Sequence, residues 1–267
     1  MLKVRVIPTL LLKNVGLVKG ISFDSWRRIG TLMPAVKVHN TREVDELILL
    51  DISATAEERS PDFESINEVS AECFVPLTVG GGVHTLEDIR NLLKAGADKV
   101  CVTTAAIKNP QLIREGASRF GSQCIVVGID AKKNSRGWYE CFTHCGTIGT
   151  GKEVSGWARD VESLGAGEIM ITSIERDGTM LGYDLDLIES VTGSVTIPVI
   201  ASGGAGNYDH MLQAIQTTKV SAVAAASIFQ FTQQTPLEAK KFLAEKGIRV
   251  RNTNVTQNDC IPTSSVR

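Results

Sequence analysis

The chain reads Val75-Pro-Leu-Thr-Val-Gly-Gly-Gly82 and, in its second half, Ile197-Pro-Val-Ile-Ala-Ser-Gly-Gly204. Each segment is a short apolar run that ends in glycines, which is typical of a buried strand followed by a tight turn into a helix. Three further pairs of segments repeat at a similar spacing: residues 46–51 with 168–173, 99–105 with 221–227, and 6–11 with 125–130. The repetition of four strand-like segments indicates a chain built from two similar halves.

Around this repeat, short β-branched runs alternate with amphipathic stretches, which is the pattern of βαβ units and a parallel sheet. Strands are predicted at residues 4–11, 46–51, 75–80, 99–103, 124–129, 168–173, 197–202 and 220–226. Capping-box patterns at Thr85-Leu-Glu-Asp88 and Thr235-Pro-Leu-Glu238 mark two helix starts. A length of 267 residues, 43% of them hydrophobic, suits one complete barrel. We therefore predict an α/β fold, a (β/α)8 (TIM) barrel of two half-barrels over residues 1–251, and a polar, disordered C-terminal tail over residues 252–267.

Composition excludes several classes of partner. The net charge of −2 gives no electrostatic reason to expect nucleic acid or an anionic membrane as partner. No apolar run approaches the roughly 20 residues that a membrane-spanning helix needs, so we expect no membrane association. The six cysteines are scattered, which indicates free thiols in a reducing cytosol and a cytoplasmic protein. The cluster Cys141-Phe-Thr-His144-Cys145 lacks the four ligands of a structural metal site, so we expect no metal and no cofactor.

The glycine clusters predict two equivalent phosphate sites. Glycine after a strand permits positive φ and lets backbone N–H groups close around an anion. Residues at the ends of the neighbouring strands, with hydroxyls and a short helix start, complete each cradle. The two predicted sets are Gly81, Gly82, Thr103 and Thr104, and Gly203, Gly204, Ala226 and Ser227. The alternative is that the glycines only permit tight turns; their symmetric placement favours a small molecule with a phosphate at each end.

Acid–base chemistry is expected between the two phosphate sites. Asp130 ends the fifth predicted strand, where burial would raise the pKa of a carboxyl group and suit it for proton transfer. Its counterpart in the first half is Leu11, which cannot transfer a proton. Three more polar residues, Lys19, Asp51 and Asp177, are predicted at the same face. The two aspartates could hold hydroxyls of a sugar-like substrate or could cap loops, and Asp130 could likewise be structural.

Four charged residues stand at the starts of predicted strands, at the opposite face of the barrel: Arg5, Glu46, Lys99 and Glu168. Charges at this face usually contribute to stability. Two positive and two negative side chains predict a neutral ring of salt bridges that closes the bottom of the barrel.

Several segments together carry a specific resemblance: Val79-Gly-Gly-Gly82, Ala95-Gly-Ala-Asp-Lys-Val100, Ile129-Asp-Ala-Lys132, Arg176-Asp-Gly-Thr179 and Ile200-Ala-Ser-Gly-Gly-Ala-Gly206. Over roughly residues 3–251 the chain resembles the cyclase subunit of imidazole glycerol phosphate synthase (the HisF family). The resemblance implies a glutaminase partner (HisH-like) on the N-terminal face, with Asp98 as a docking residue. It also implies that ammonia passes the four-residue ring, which acts as a gate, and closes an imidazole ring on a two-phosphate substrate. An aminoimidazole carboxamide ribotide is released.

The chain departs from the family pattern at three places. The paired catalytic carboxylates map to Leu11 and Asp130, the usual phosphate-site asparagine is Thr103, and residues 25–31 lack the usual Gly-Asp-Pro continuation. Such departures resemble a divergent branch that works with sugar amidotransferases, which build amidine groups on bacterial surface polysaccharides. We expect a barrel that passes ammonia to a third protein, with the authentic cyclase of histidine biosynthesis, a lyase, as the alternative. A phosphosugar isomerase also needs two acid–base groups, and a purely structural scaffold would not need Asp130.

Overall fold

The computed structural model describes residues 3–14 and 16–251, so the predicted tail at 252–267 lies outside the described residues. Its strands are β1 Arg5–Lys13, β2 Gly16–Ile21, β3 Asp24–Gly30, β4 Leu47–Asp51, β5 Leu77–Gly80, β6 Lys99–Val102, β7 Ile125–Lys133, β8 Tyr139–Thr143, β9 Ile148–Glu153, β10 Glu168–Ser173, β11 Val199–Ser202 and β12 Ala222–Ala225. Its helices are α1 Leu32–Thr41, α2 Phe63–Glu72, α3 Leu86–Lys94, α4 Thr104–Lys108, α5 Gln111–Phe120, α6 Val154–Ser163, α7 Leu185–Thr192, α8 Tyr208–Thr218, α9 Ser227–Phe231 and α10 Pro236–Glu245.

Eight of the strands are parallel and close on themselves in the order β1, β4, β5, β6, β7, β10, β11, β12 and back to β1. They are the eight strands predicted from the sequence, and helices follow them on the outside. The predicted (β/α)8 barrel is therefore confirmed. None of the described helices is both long enough and apolar enough to span a bilayer.

Two antiparallel hairpins were not predicted. The strand pair β2–β3 follows β1, and the pair β8–β9 follows β7, so each hairpin adds to the equivalent strand of one half-barrel. For this reason β1 and β7 extend beyond their predicted ends, to Lys13 and Lys133. No run of apolar residues marks β3 or β9 in the sequence, because both strands are largely exposed. The tight turn of the first hairpin also lacks the glycine that usually marks such a turn. Ser22 and Phe23 occupy its two positive-φ positions instead, with φ of 51° and 62°.

Alternate residues of the barrel strands face two different cores. Val6 packs outward against the helices in the larger core, whereas its neighbour Ile7 points into the barrel. The barrel interior is filled by Ile7, Ile48, Cys101, Val126, Met170, Ile200, Ala222 and Ala224. Burial on both sides explains why these strands are continuously apolar in sequence rather than alternating. Both predicted capping boxes are also present, at Thr85 with Asp88 and at Thr235 with Glu238.

Candidate active site

The carboxyl ends of the eight barrel strands surround a pocket of about 1130 Å³, its open mouth included. Every residue predicted for catalysis or for phosphate and substrate binding lines this pocket: Leu11, Lys19, Asp51, Gly81, Gly82, Thr103, Thr104, Asp130, Asp177, Gly203, Gly204, Ala226 and Ser227. The four ring residues and Asp98 do not line it. The sequence therefore located the pocket, whereas the role of each residue stays a prediction.

The first glycine cluster has the backbone conformation of an anion cradle. Gly81 and Gly82 adopt φ of 101° and 70°, and a Cβ atom at Gly81 would lie 2.1 Å from the carbonyl oxygen of Asp51. Only glycine fits such a conformation and such a close approach. Thr103 precedes α4, which begins at Thr104. The hydroxyl of Thr104 accepts a hydrogen bond from the backbone N–H of His144 at 3.1 Å.

The second cluster has the same form. Gly203 and Gly204 adopt φ of 88° and 108°, and a Cβ atom at Gly204 would lie 2.2 Å from the carbonyl oxygen of Gly182. Ala226 precedes α9 as Thr103 precedes α4. The Oγ of Ser227 is buried and has no hydrogen-bond partner among the described residues. A buried hydroxyl without a partner costs free energy, which a ligand at this position would recover.

Asp130 and Leu11 face the same pocket from equivalent strands. The Asp130 carboxylate forms no hydrogen bond or ion pair with the described residues, and burial, followed by the nearby charge of Asp177, raises its pKa to about 7. A carboxyl group with this pKa exchanges protons at neutral pH. Leu11 is 8% exposed and lies beside Val18 and Leu50 of the adjoining strands. The two equivalent positions on β1 and β7 thus hold one leucine and one carboxyl group.

Lys19 and Asp177 form a buried ion pair at the pocket. Lys19 lies within β2, and its Nζ lies 3.0 and 3.1 Å from the two oxygens of Asp177. The backbone N–H of Ser22 donates to the carbonyl of Asp177 at 2.8 Å. Asp177 therefore fastens the first hairpin to the loop after β10. This arrangement favours a structural role beside the predicted contact with substrate hydroxyls.

Asp51 is also engaged by its own loop. One carboxylate oxygen accepts hydrogen bonds from Ser53 and from the backbone N–H of Ala54, at 2.9 to 3.1 Å. The other lies 2.7 Å from the guanidinium of Arg59. These contacts match the loop-capping alternative and leave little of the carboxylate for a ligand.

The four charged residues at the opposite end form a closed ring. The guanidinium of Arg5 contacts Glu46 at 2.7 Å and also pairs with Glu168. The ammonium of Lys99 lies 2.7 Å from Glu46 and 3.0 Å from Glu168. Burial opposes ionisation of Glu46, but Lys99 and Arg5 outweigh it and lower the pKa of this carboxyl. The predicted neutral salt-bridge ring is present, and it closes the amino-terminal end of the barrel interior.

Asp98 lies at the same end, before β6, and its side chain is exposed. Its carboxylate accepts a hydrogen bond from the backbone N–H of Leu77 at 2.8 Å. The docking role that the resemblance implies is not tested by this geometry.

Several pocket-lining residues were not singled out from the sequence, among them Thr9, Phe23, Trp26, Thr172 and Ser202. The two-residue period of a strand could have found three of these five, because Thr9 lies two positions before Leu11, and Thr172 and Ser202 lie two positions after the inward-facing Met170 and Ile200. The buried hydroxyl of Thr9 has no partner among the described residues. Phe23 and Trp26 carried no signal, since the hairpin that brings them over the pocket was not predicted.

The cysteine and histidine cluster near residue 144 is used for packing and hydrogen bonds. His144 Nε2 lies 3.1 Å from Lys108 Nζ, and the thiol of Cys145 donates to the carbonyl of Ile52 at 3.0 Å. Within residues 3–14 and 16–251, no group of three or more His, Cys, Asp or Glu side chains could hold a metal ion.

The sequence of this barrel matches a known family. The model of the family described as "Histidine biosynthesis protein" matches residues 5–235, so the chain belongs to that family. The chain is also 48% identical over 251 residues to the imidazole glycerol phosphate synthase subunit HisF of Chloroherpeton thalassium (strain ATCC 35110 / GB-78). The match covers 94% of this chain and all of that relative. The chain is thus a HisF-like barrel, and the comparison supports a cyclase subunit more than a polysaccharide-associated branch.

Proposed function

We propose that this chain is the ammonia-accepting barrel subunit of a glutamine amidotransferase and that it binds a phosphorylated small molecule in its pocket. Two glycine cradles and a carboxyl group with a pKa of about 7 lie at one end of the barrel, and a closed ring of charges lies at the other end. This combination is the observation that carries the proposal. The family membership of the chain points in the same direction.

Phosphate binding is the part of the proposal with the most direct geometric support. Both cradles pair positive-φ glycines with residues at the start of the short helix that follows the neighbouring strand, so backbone N–H groups can converge on an anion. The unpartnered hydroxyl of Ser227 supplies a hydrogen-bond donor at the second cradle. Two cradles in one pocket fit a ligand with a phosphate at each end.

Ammonia would enter at the ring and travel to the pocket through the barrel. The side chains between these ends are apolar, from Ile7 and Ile48 to Met170. An apolar passage excludes water and keeps ammonia unprotonated, so that it stays nucleophilic. The ring would have to open for each molecule. A HisH-like glutaminase at the N-terminal face, with Asp98 in the contact, would supply the ammonia.

Two acceptors for the ammonia remain as candidates, and different observations favour each. The comparison with the HisF subunit favours ring closure on a two-phosphate substrate, the cyclase reaction of histidine biosynthesis. Leu11 favours the second candidate, transfer to a sugar amidotransferase that forms an amidine on a surface polysaccharide, because Asp130 has no second carboxyl group at the equivalent position of β1. Five free cysteines among the described residues suit a protein of the reducing cytosol under either candidate.

Ammonia-dependent turnover of the two-phosphate cyclase substrate separates the two candidates. Purified wild type is compared with Asp130→Asn and Leu11→Asp. Turnover by wild type that Asp130→Asn reduces by about 10²–10⁴-fold identifies a cyclase with a single carboxyl group. No turnover by wild type, with some gained by Leu11→Asp, identifies a barrel that hands ammonia to another protein.

The phosphate site is tested separately by calorimetric titration with inorganic phosphate. Ser227→Ala should weaken binding by about 10–150-fold, the cost of one hydrogen bond to a charged group. Ser190→Ala is the matched control, because its hydroxyl donates to the carbonyl of Leu187 in α7, away from the pocket. Equal affinity of the Ser227→Ala variant and wild type would rule out this serine as a ligand.

A further inference from the structure

We propose that Trp26 is a stacking platform for a planar ring of the bound ligand and thereby selects ring-bearing phosphorylated ligands. The inference rests on the proposed function, in that it requires the pocket to hold a phosphorylated small molecule. It adds the class of chemical group that the ligand presents to the wall formed by β1, β2 and β3.

This wall of the pocket is apolar and aromatic. Leu11 and Leu50 are paired neighbours on β1 and β4, and Phe23 and Trp26 line the same pocket from the hairpin β2–β3. None of these side chains offers a hydrogen bond that a sugar hydroxyl would need, apart from the single N–H of the indole. Of the two buried hydroxyls without partners among the described residues, that of Thr9 lies on β1, two positions before Leu11, and that of Ser227 lies at the start of α9. A ligand segment against Leu11, Phe23 and Trp26 is expected to be a ring or another apolar group.

The hairpin is fastened over the pocket, so the position of Trp26 is fixed. The ion pair of Lys19 with Asp177 ties β2 to the loop after β10. The guanidinium of Arg27 lies 4.1 Å from the centroid of the Phe231 ring, at the end of α9, and this cation–π contact ties β3 to the helix that begins at Ser227. Trp26 is adjacent to Arg27 and is thus held at a set distance from the second glycine cradle.

The indole has room because its neighbour in β2 is Gly20. A Cβ atom at Gly20 would lie 2.7 Å from Cε3 of Trp26, so any other residue would push the ring away. The ammonium of Lys13 lies 6.0 Å from the ring centroid, at the outer limit of a cation–π contact, and holds the ring only weakly.

The backbone of the hairpin is held in an unfavourable conformation. Ser22, Phe23 and Ser25 adopt φ of 51°, 62° and 54°, although none of them is glycine. Left-handed conformations of this kind persist where the surrounding structure imposes them, and they are concentrated at binding and catalytic sites. Ten of the described non-glycine residues adopt positive φ, and three of them lie in the segment that places Phe23 and Trp26 in the pocket.

The test compares two ribose phosphates by calorimetric titration: aminoimidazole carboxamide ribotide, which carries a substituted imidazole ring on the anomeric carbon, and ribose 5-phosphate, which carries a hydroxyl there. Wild type should bind the ribotide more tightly. Trp26→Ala should reduce this preference by about 5–150-fold, the range measured for stacking of a base on an aromatic side chain. Trp26→Phe should retain most of the preference. Trp138→Ala is the control, because Trp138 lies between β7 and β8 and does not line the pocket.

The outcomes separate this inference from the proposed function. If both ligands bind wild type equally, or if Trp26→Ala keeps the preference, the stacking role is wrong while the phosphate site stands. If neither ligand binds wild type, the phosphate site fails, and the stacking role fails with it. Affinity for ribose 5-phosphate that is equal in wild type and Trp26→Ala shows that the variant is folded.

Discussion

The Nζ of Lys19 lies 3.0 and 3.1 Å from the two carboxylate oxygens of Asp177, and both side chains are buried. This pair joins the first hairpin to the loop after β10. Lys19 also compensates the negative charge of Asp177, which lies close enough to raise the pKa of Asp130. The same contact therefore bears on the shape of the pocket and on its acid–base chemistry.

The first prediction concerns this ion pair. Lys19→Met leaves the buried carboxylate of Asp177 without its cation, and the free energy of unfolding should fall by about 3–5 kcal/mol in urea denaturation. The double variant Lys19→Met with Asp177→Asn removes both charges and should recover a large part of this loss. Equal losses in the single and double variants would contradict the assignment of the cost to an unpaired charge.

The second prediction concerns the pH dependence of stability that Asp130 causes. The unfolded side chain ionises near the ordinary value of 3.8, and the folded one near 7. Between these values the folded state keeps a proton that the unfolded state has lost, so the stability of wild type falls as pH rises from about 4 to 7 and stays lower above it. Asp130→Asn removes this penalty, and its melting temperature should exceed that of wild type at pH 8.

The difference in melting temperature should shrink towards pH 4, where Asp130 is protonated in the folded state and begins to be protonated in the unfolded state. Glu115→Gln, a similar change at an exposed position in α5, is the control and should show no such trend. A difference between Asp130→Asn and wild type that does not change with pH would show that the folded pKa of Asp130 is not raised.

The third prediction concerns the charged ring. Lys99→Met leaves the buried Glu46 and Glu168 with Arg5 as their single cation, and should lower the free energy of unfolding by about 3–5 kcal/mol. Arg90→Ala breaks the exposed pair of Arg90 with Glu87 and should cost no more than about 1 kcal/mol. Both losses are measured by urea denaturation at neutral pH, and losses of equal size would mean that the ring is not a buried network.

The fourth prediction compares two glycines with positive φ. Gly247→Ala places a Cβ atom in open space at φ of 81°, so the variant should lose about 1 kcal/mol from backbone strain alone. Gly204→Ala adds a clash with the carbonyl oxygen of Gly182 and should lose clearly more, with weaker binding of phosphate at the second cradle. Thermal unfolding of both variants measures the contrast, which disappears if the loop around Gly204 can shift to accept the new atom.

Much of the barrel could be predicted from the sequence because its signals are local. Runs such as 46–51 and 168–173 are apolar along their length because they are buried on both sides, and their repetition exposed the two halves. The hairpins were missed for the opposite reason. In β3, most side chains are exposed, and the turn at Ser22 and Phe23 uses residues that do not signal a hairpin.

The sequence by itself determined the eight barrel strands, the positions of the glycine clusters and the leucine at position 11 where the second half has Asp130, because each depends on residue type and spacing along the chain. The tertiary structure decided which charges pair, that Asp130 stands without a partner among the described residues, and that Trp26 reaches the pocket. These features depend on contacts between residues far apart in the chain, such as Lys19 and Asp177, separated by 158 positions. No local pattern encodes such a distance, and it is fixed only when the barrel closes and packing brings the two segments together.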